Sequence, residues 1–119
     1  MQFLIIGRDG TDSKAMERRL AARPAHIELG ERLRQTGNMW YGAALWDDNN
    51  QMVGSMLLMD FPSEKELHEW LDREPYVTSK VWHKLEIQKC NVRDPWQFNR
   101  PKGWFEARQA GQSRLEHER

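Results

Sequence analysis

The chain has 119 residues, of which 39% are hydrophobic and 30% charged, and this size is typical of one domain. Its 18 basic residues balance its 18 acidic residues, which excludes the overall positive field that draws proteins to nucleic acid or anionic membranes. Six Trp and six Met residues supply large apolar surfaces, so a folded domain with neither a nucleic-acid nor a membrane partner is predicted.

The chain begins with a predicted strand over residues 2–7. Phe3 to Ile6 is an apolar, β-favouring run, which Gly7 and a polar turn over residues 8–10 close. The apolar run is short and no basic segment precedes it, so it does not have the pattern of a signal peptide.

A long helix is predicted next, from Asp12 or Ser13 to about Thr36, with Gly37 as its C-cap. Pro24 interrupts this helix, because proline removes a backbone donor and its ring clashes with the carbonyl four residues earlier. We therefore expect a kink or two abutting helices at this point.

This helix is predicted to have a solvated side and a buried side. In its first half Glu17, Arg18 and Arg19 are expected to be solvated, while Met16 and Leu20 share another side. In its second half an apolar stripe follows the spacing i, i+4, i+7, i+11. This stripe consists of Ala22, His26, Leu29 and Leu33. The imidazole of His26 is therefore predicted to point inward.

Two neighbouring antiparallel strands are predicted over residues 39–46 and 52–61, because a polar loop over residues 47–51 suits a β-hairpin. After them, Ser63 and Glu66 have the spacing of a capping box, in which a hydroxyl accepts from the amide three residues later. A second helix is predicted to begin there.

The second helix is predicted to bury one face. Leu67, Trp70 and Leu71 share that face, and Glu74 continues it at the spacing i+7. Pro75 is expected to stop the helix immediately afterwards.

A last strand is predicted over residues 85–92, after one further helical turn between Tyr76 and His83. The resulting order of strand, helix, strand, strand, helix, strand is that of the split β-α-β repeat. The sequence therefore predicts an α+β fold of the ferredoxin-like kind with a four-stranded antiparallel sheet.

The third predicted strand is apolar on both faces, since residues 52–59 contain Met, Val and Leu at odd and even positions alike. An antiparallel sheet with two helices on one face normally leaves its other face polar. We therefore expect a cover for the second face, either an identical sheet in a homodimer or the C-terminal tail.

The tail, residues 94–119, is predicted to be an extension of a domain formed by residues 1–93. We expect its aromatic first part to dock on the partner subunit or on the chain's own helices up to Phe105, and its polar end to fray. Just before the tail, the lone Cys90 cannot form an internal disulfide, which favours the cytoplasm as the compartment.

Motifs for cofactors are absent from the sequence. Gly7 and Gly10 lack the third glycine and the following Lys-Ser/Thr of a phosphate-binding loop. The four histidines and Cys90 are scattered without the spacing of metal ligands. We therefore predict no cofactor and no metal.

His26 is the main candidate for catalysis, because an imidazole titrates near neutral pH and transfers protons once a carboxylate fixes its tautomer. Glu74 is its candidate partner, since a carboxylate on an apolar face is costly to bury alone. The alternative is that His26 is a hydrogen-bonded core residue and Glu74 a solvated helix end. Trp40, Trp46 or Trp70 could form an aromatic wall.

Three segments carry a resemblance to a known family. They are Arg23-Pro24-Ala25-His26 in the first helix, Gly54-Ser55 at the opening of the third strand, and Glu74-Pro75-Tyr76-Val77 after the second helix. In this order they resemble the YciI-like family of the dimeric α+β barrel superfamily, over residues 1–93. The resemblance implies a homodimer whose sheets pack face to face, and a cleft between sheet and helices that contains a His and an Asp.

On this resemblance the family's His falls on His26, and the Asp of its Asp-Pro-Tyr motif falls on Glu74. Glu74 is one methylene longer than the Asp of the motif, which extends the reach of its carboxylate by about 1.5 Å. Ser55, Tyr76 and Arg23 become candidates for substrate binding. One branch of the family is similar to a dehydrochlorinase of a chlorinated hydroxyquinol, which implies a cofactor-independent lyase or isomerase for a small cyclic or aromatic oxygenated substrate. The alternative is a dimeric ligand-binding or accessory module that has lost this chemistry.

Overall fold

The structure is a computed structural model, and it describes residues 1–93. The elements are β1 (Gln2–Asp9), α1 (Ala15–Gln35), β2 (Met39–Trp46), β3 (Met52–Asp60), α2 (Glu64–Leu71), α3 (Pro75–Thr78) and β4 (Trp82–Cys90). The strands form one four-stranded antiparallel sheet in the order β2-β3-β1-β4, which confirms the α+β, ferredoxin-like arrangement. The predicted tail lies outside the described residues. Within residues 1–93 no helix is long and apolar enough to span a membrane.

Several predicted boundaries are wrong. β1 continues through Asp9, where a turn was expected, because β4 begins early and pairs Trp82 with Asp9. The predicted further helical turn is confirmed as α3. Lys80, with a φ of 57°, follows this turn shortly before β4 begins.

Helix α1 begins at Ala15 and runs without a break through Pro24, so the expectation of two abutting helices is wrong. Pro24 is exposed. On the solvent side of a helix, carbonyls tilt outward toward water, and water can there replace the bond that the proline removes. Gly37 follows the helix with a φ of 81°, the left-handed conformation that glycine adopts at helix ends.

The capping box at the start of α2 is confirmed. Ser63 Oγ accepts a hydrogen bond from the amide of Glu66 at 3.4 Å, and the Ser63 hydroxyl bonds the Glu66 carboxylate. This cap fixes the helix start, and the apolar face of α2 then packs into a core that both helices share with the sheet. The core includes Phe3, Ile5, Ala22, Leu33, Leu57, Met59, Leu67, Trp70 and Leu71.

The buried side of α1 differs from the prediction in its first half. Arg19 is 2% exposed, whereas Leu20 is 53% exposed, so the expectation that Arg19 is solvated is wrong. Arg19 precedes the buried Ala22 by three residues and therefore continues the buried stripe by one turn. Its burial is possible because Asp9, at the end of β1, lies beneath this turn and pairs with it.

Candidate active site

His26 and Glu74 are hydrogen-bonded to each other between α1 and α3. Nδ1 of His26 contacts Oε1 of Glu74, and the two side chains are 12% and 2% exposed. The same Oε1 accepts the backbone amide of Tyr76 at 3.2 Å. A carboxylate on Nδ1 fixes the ring and leaves Nε2 as the nitrogen that a ligand can reach.

Glu74 reaches this position from a helix cap. The prediction placed it on the apolar face of α2, but α2 ends at Leu71 and Glu74 is the N-cap of α3. Pro75 occupies the first turn of α3, where its missing N–H costs nothing. The carboxylate therefore satisfies an orphan amide of α3 and the histidine at the same time.

Aromatic rings enclose the imidazole. The ring of His26 stacks on Tyr76 with centroids 3.9 Å apart and planes at 10°. Trp82 presents its edge to His26 at 6.1 Å and to Tyr76 at 5.6 Å. Trp82 can approach β1 this closely because residue 7 is glycine, where an added Cβ would lie 2.4 Å from the indole.

The tryptophans proposed from the sequence lie elsewhere. Trp46 is 60% exposed, and Trp70 stacks on Phe61 in the apolar core at 5.9 Å. Trp40 donates its indole N–H to the carbonyl of Gly37. None of the three tryptophans lines the pocket beside His26, so the predicted aromatic wall is wrong.

A buried ion pair lies next to these rings. Arg19 Nη1 donates to both carboxylate oxygens of Asp9 at 3.0 Å, and Arg19 Nη2 donates to Ser55 Oγ at 3.0 Å. The indole N–H of Trp82 reaches the same Ser55 oxygen at 3.2 Å. The Arg19 guanidinium also lies 4.8 Å from the ring centroid of Tyr76. These contacts join residues of five elements, α1, β1, β3, α3 and β4, in one network.

Burial sets the protonation tendencies of two groups in this network. It raises the pKa of the Asp9 carboxyl above its ordinary value of 3.8, although the hydrogen bonds from Arg19 act in the opposite direction. It also raises the pKa of the Tyr76 phenol above 10.0. Tyr76 is therefore a neutral hydroxyl at neutral pH.

A pocket of about 240 Å³ opens beside His26. This is smaller than the roughly 300–1,000 Å³ of sites for drug-sized ligands, so it suits one ring. Gly42 and Ala44 of β2 leave the space free, and the exposed side chains of Arg23 and Ile27 stand at its rim. The lining residues are Arg19, Arg23, His26, Ile27, Met39, Gly42, Ala43, Ala44, Ser55, Leu57 and Tyr76.

The structure thus brings the five residues proposed from the sequence to one place. His26, Ser55, Tyr76 and Arg23 line the pocket, and Glu74 lies behind His26.

Residues 1–91 match the model of the YCII-related domain. The chain belongs to this family. "Protein YciI" of Escherichia coli O6:H1 and of Shigella flexneri are each 28% identical over 94 residues, which cover 74% of this chain and 94% of theirs.

A solved relative in fold is 5-chloro-2-hydroxyhydroquinone dehydrochlorinase (TftG) from Burkholderia phenoliruptrix AC1100, in complex with 2,5-dihydroxybenzoquinone. It matches with a TM-score of 0.67 and 23% identity, over 76% of this chain and 94% of that chain. The likeness extends over nearly the whole of that protein and shows that both have the same fold.

A larger cleft of about 770 Å³ lies at the Asp9 end of β1, and Asp9 is one of its lining residues. The cleft contains none of the five site residues proposed from the sequence. Two of its lining residues are engaged by Arg18, which donates to Asp12 at 2.6 and 2.9 Å and contacts His83 at 3.3 Å. Residues 1–93 contain no group of three or more His, Cys, Asp or Glu that could hold a metal. The smaller pocket is therefore the candidate active site.

Three residues of the network were missed in the sequence, namely Arg19, Asp9 and Trp82. Arg19 lies two helical turns before His26, so spacing alone would have put it on the same face. Asp9 follows Gly7 at the strand period of two, and Trp82 pairs with it on β4. Spacing alone indicates the face of Arg19, but a charged residue is predicted to be exposed unless its partner is known, and the partner here lies on another element.

Proposed function

We propose that this protein is a cofactor-independent lyase or isomerase that acts on a small cyclic or aromatic oxygenated substrate. The observation that supports this most is the buried hydrogen bond between His26 and Glu74 at the wall of a one-ring pocket. The name of the solved neighbour, a dehydrochlorinase of a hydroxylated ring in complex with a quinone, supports the same substrate class.

In the proposed reaction His26 is the general base. Its Nε2 takes a proton from the bound ring, and Glu74 stabilises the imidazolium that forms at Nδ1. In a dehydrochlorination the substrate reacts as its keto tautomer, in which the carbon that carries chlorine also carries a hydrogen. The proton comes from a ring hydroxyl, the O–H electron pair forms a new carbonyl, the adjacent double bond shifts to the chlorine-bearing carbon, and chloride leaves with the carbon–chlorine pair. Ser55, Tyr76 and Arg23 orient the oxygens of the substrate. The imidazolium returns its proton to water, so the net loss is HCl.

The test is chloride release from 5-chloro-2-hydroxyhydroquinone by the full chain. His26→Gln removes the base and is expected to lower the rate by about 10²–10⁴-fold, the usual contribution of a positioned base. His68→Gln changes an exposed histidine on α2 and is expected to keep the rate.

Glu74 is tested by two substitutions in the same assay. Glu74→Gln removes the charge that stabilises the imidazolium and should lower the rate, while Glu74→Asp keeps the charge and should retain part of it. A His26→Gln protein with the full rate of the parent chain would contradict the proposal. Binding without any turnover would favour the accessory module.

We further propose that a second copy of the chain covers the outer face of the sheet. The pairs Leu4–Leu58 and Ile6–Met56 lie on the face opposite to the core and are partly exposed. Tyr41, beside Leu58, is 45% exposed. These apolar side chains suit an identical, self-complementary sheet.

Light scattering tests this dimer. The full chain is expected at twice its mass of 14.2 kDa, and Leu58→Lys, which puts a charge in the centre of the face, is expected at the monomer mass. A monomeric parent chain would overturn this part of the proposal.

A further inference from the structure

Ser55 can offer a ligand in the pocket only its proton. Its oxygen accepts hydrogen bonds from Arg19 Nη2 at 3.0 Å and from the Trp82 indole at 3.2 Å. A hydroxyl oxygen has two lone pairs, and both are occupied here. No acceptor for the Ser55 proton lies within the part of the chain that the structure describes. Ser55 is 3% exposed and lines the pocket.

Two more buried donors of residues that line the pocket lack acceptors. The hydroxyl of Tyr76 and the Nε–H of Arg19 have no hydrogen-bond partner among residues 1–93, although Tyr76 is 0% and Arg19 2% exposed. Both residues line the pocket. Buried donors without acceptors are costly, and a ligand oxygen placed among them removes that cost.

The charges of the pocket have one sign. Its lining contains two arginines and no Asp or Glu. The carboxylate of Asp9 is occupied by Arg19, and that of Glu74 by His26 and the amide of Tyr76. Arg23, at the rim, forms no ion pair with the described residues. Among the described side chains of the lining, the nitrogen or oxygen acceptors left for a ligand are therefore Nε2 of His26, in the tautomer that donates Nδ1–H to Glu74, and the Tyr76 oxygen.

We infer that the pocket binds its substrate as an oxyanion, a phenolate or enolate whose oxygen receives the protons of Ser55 and Tyr76. Arg19 acts as a positioning residue, because it fills one lone pair of Ser55 and places a positive charge beside the bound oxygen. This inference rests on the proposed function and narrows its substrate class.

In an isomerisation, His26 Nε2 takes the proton from the carbon next to a ring carbonyl. The C–H electron pair forms the carbon–carbon double bond, and the carbonyl pair moves to oxygen, where the fixed donors stabilise the new charge. The substrate would thus be a ring that is ionised when it binds or that becomes an enolate in the first step.

4-Nitrophenol is a direct probe, because its phenol and phenolate absorb at different wavelengths. We expect the full chain to bind the phenolate about tenfold more tightly than the phenol, which lowers the pKa of the bound probe by about one unit. 4-Nitroanisole has nearly the same shape and cannot ionise, so it is expected to bind about tenfold more weakly than the phenolate.

Tyr76→Phe is the decisive variant, because it removes an oxygen that bonds no described residue and leaves the ring contacts in place. We expect a normal melting temperature and a several-fold loss of phenolate preference. Ser55→Ala and Arg19→Lys should lower the preference too, while His83→Gln, in the larger cleft, should leave it unchanged.

The inference is overturned if bound 4-nitrophenol keeps its solution pKa, if millimolar probe does not bind, or if Tyr76→Phe equals the parent chain. The proposed function fails separately. His26→Gln keeps the three donors and should retain the phenolate preference even though turnover is lost. A phenolate preference in a chain without turnover would support the binding site and refute the enzyme.

Discussion

The interior between sheet and helices has two ends that are equally buried and differently built. At the apolar end Trp70 and Leu67 are 2% and 1% exposed, and at the polar end Arg19 and Glu74 are 2% and 1% exposed. Burial of apolar side chains stabilises the folded state roughly in proportion to the apolar surface area that is buried. Such a core tolerates replacement of one apolar side chain by another of similar volume. A buried ion pair does not tolerate the exchange of one partner alone, because the remaining charge is then buried without a partner. The fold thus has an apolar half that stabilises it and a polar half in which we propose the binding site.

The largest expected effect is at the polar end. Arg19→Met leaves Asp9 buried and unpaired, which should lower the free energy of unfolding by about 3–5 kcal/mol. The double variant with Asp9→Leu removes both charges and should recover most of that loss. Urea unfolding of both proteins measures it, and a double variant as unstable as the single one would refute the contrast between the ends.

At the apolar end, Leu67→Ala opens a cavity and should cost about 2–5 kcal/mol. Leu67→Met keeps the volume and should cost less than about 1.5 kcal/mol. At temperatures where they are folded, both variants should bind 4-nitrophenol like the parent chain. A large loss of binding in Leu67→Met would mean that the two ends are not separable.

A smaller effect on stability, with a large effect on binding, is expected at Ala44. Ala44→Leu puts its side chain into the pocket, so binding of 4-nitrophenol should fall at least tenfold. Because the added atoms fill open space, stability should change by no more than about 1 kcal/mol. Ala44→Ser, which adds little volume, is the control in the same calorimetric titration and should keep its affinity.

The smallest effect is the pH dependence that Asp9 contributes. Its raised pKa means that the folded state binds this proton more tightly than the unfolded state does. The stabilisation of the folded state by this proton is present in full below pH 3.8, and it is lost as the pH rises through the raised pKa of Asp9. Asp9 should therefore reduce stability by up to about 1.4 kcal/mol per pH unit in that window.

Asp9→Asn checks this sign. Between the ordinary pKa of an Asp and the raised pKa of Asp9, the free energy of unfolding of this variant should rise more steeply with pH than that of the parent chain. Urea unfolding from pH 4 to 6 measures both slopes. A parallel pair of curves would show that Asp9 does not titrate in this window.

The sequence predicted the apolar end better than the polar end. The face of Leu67, Trp70 and Leu71 and the cap at Ser63 follow from periods and local chemistry. The burial of Arg19 depends on its ion pair with Asp9, which lies ten residues earlier on another element. No local sequence pattern predicts this ion pair. The burial of Glu74 and its pairing with His26 were expected, but Glu74 was assigned to the end of α2. It is the N-cap of α3, because α2 ends at Leu71.

The most direct test of the central claim, that the polar end is the binding site, is an NMR titration of the full chain with 2,5-dihydroxybenzoquinone. We expect the largest shifts at the Trp82 indole N–H, the Ser55 amide and the His26 ring, and no shift at the Trp70 indole. Shifts confined to the larger cleft, at Thr11 and Gln51, or no shift at millimolar ligand, would contradict the claim.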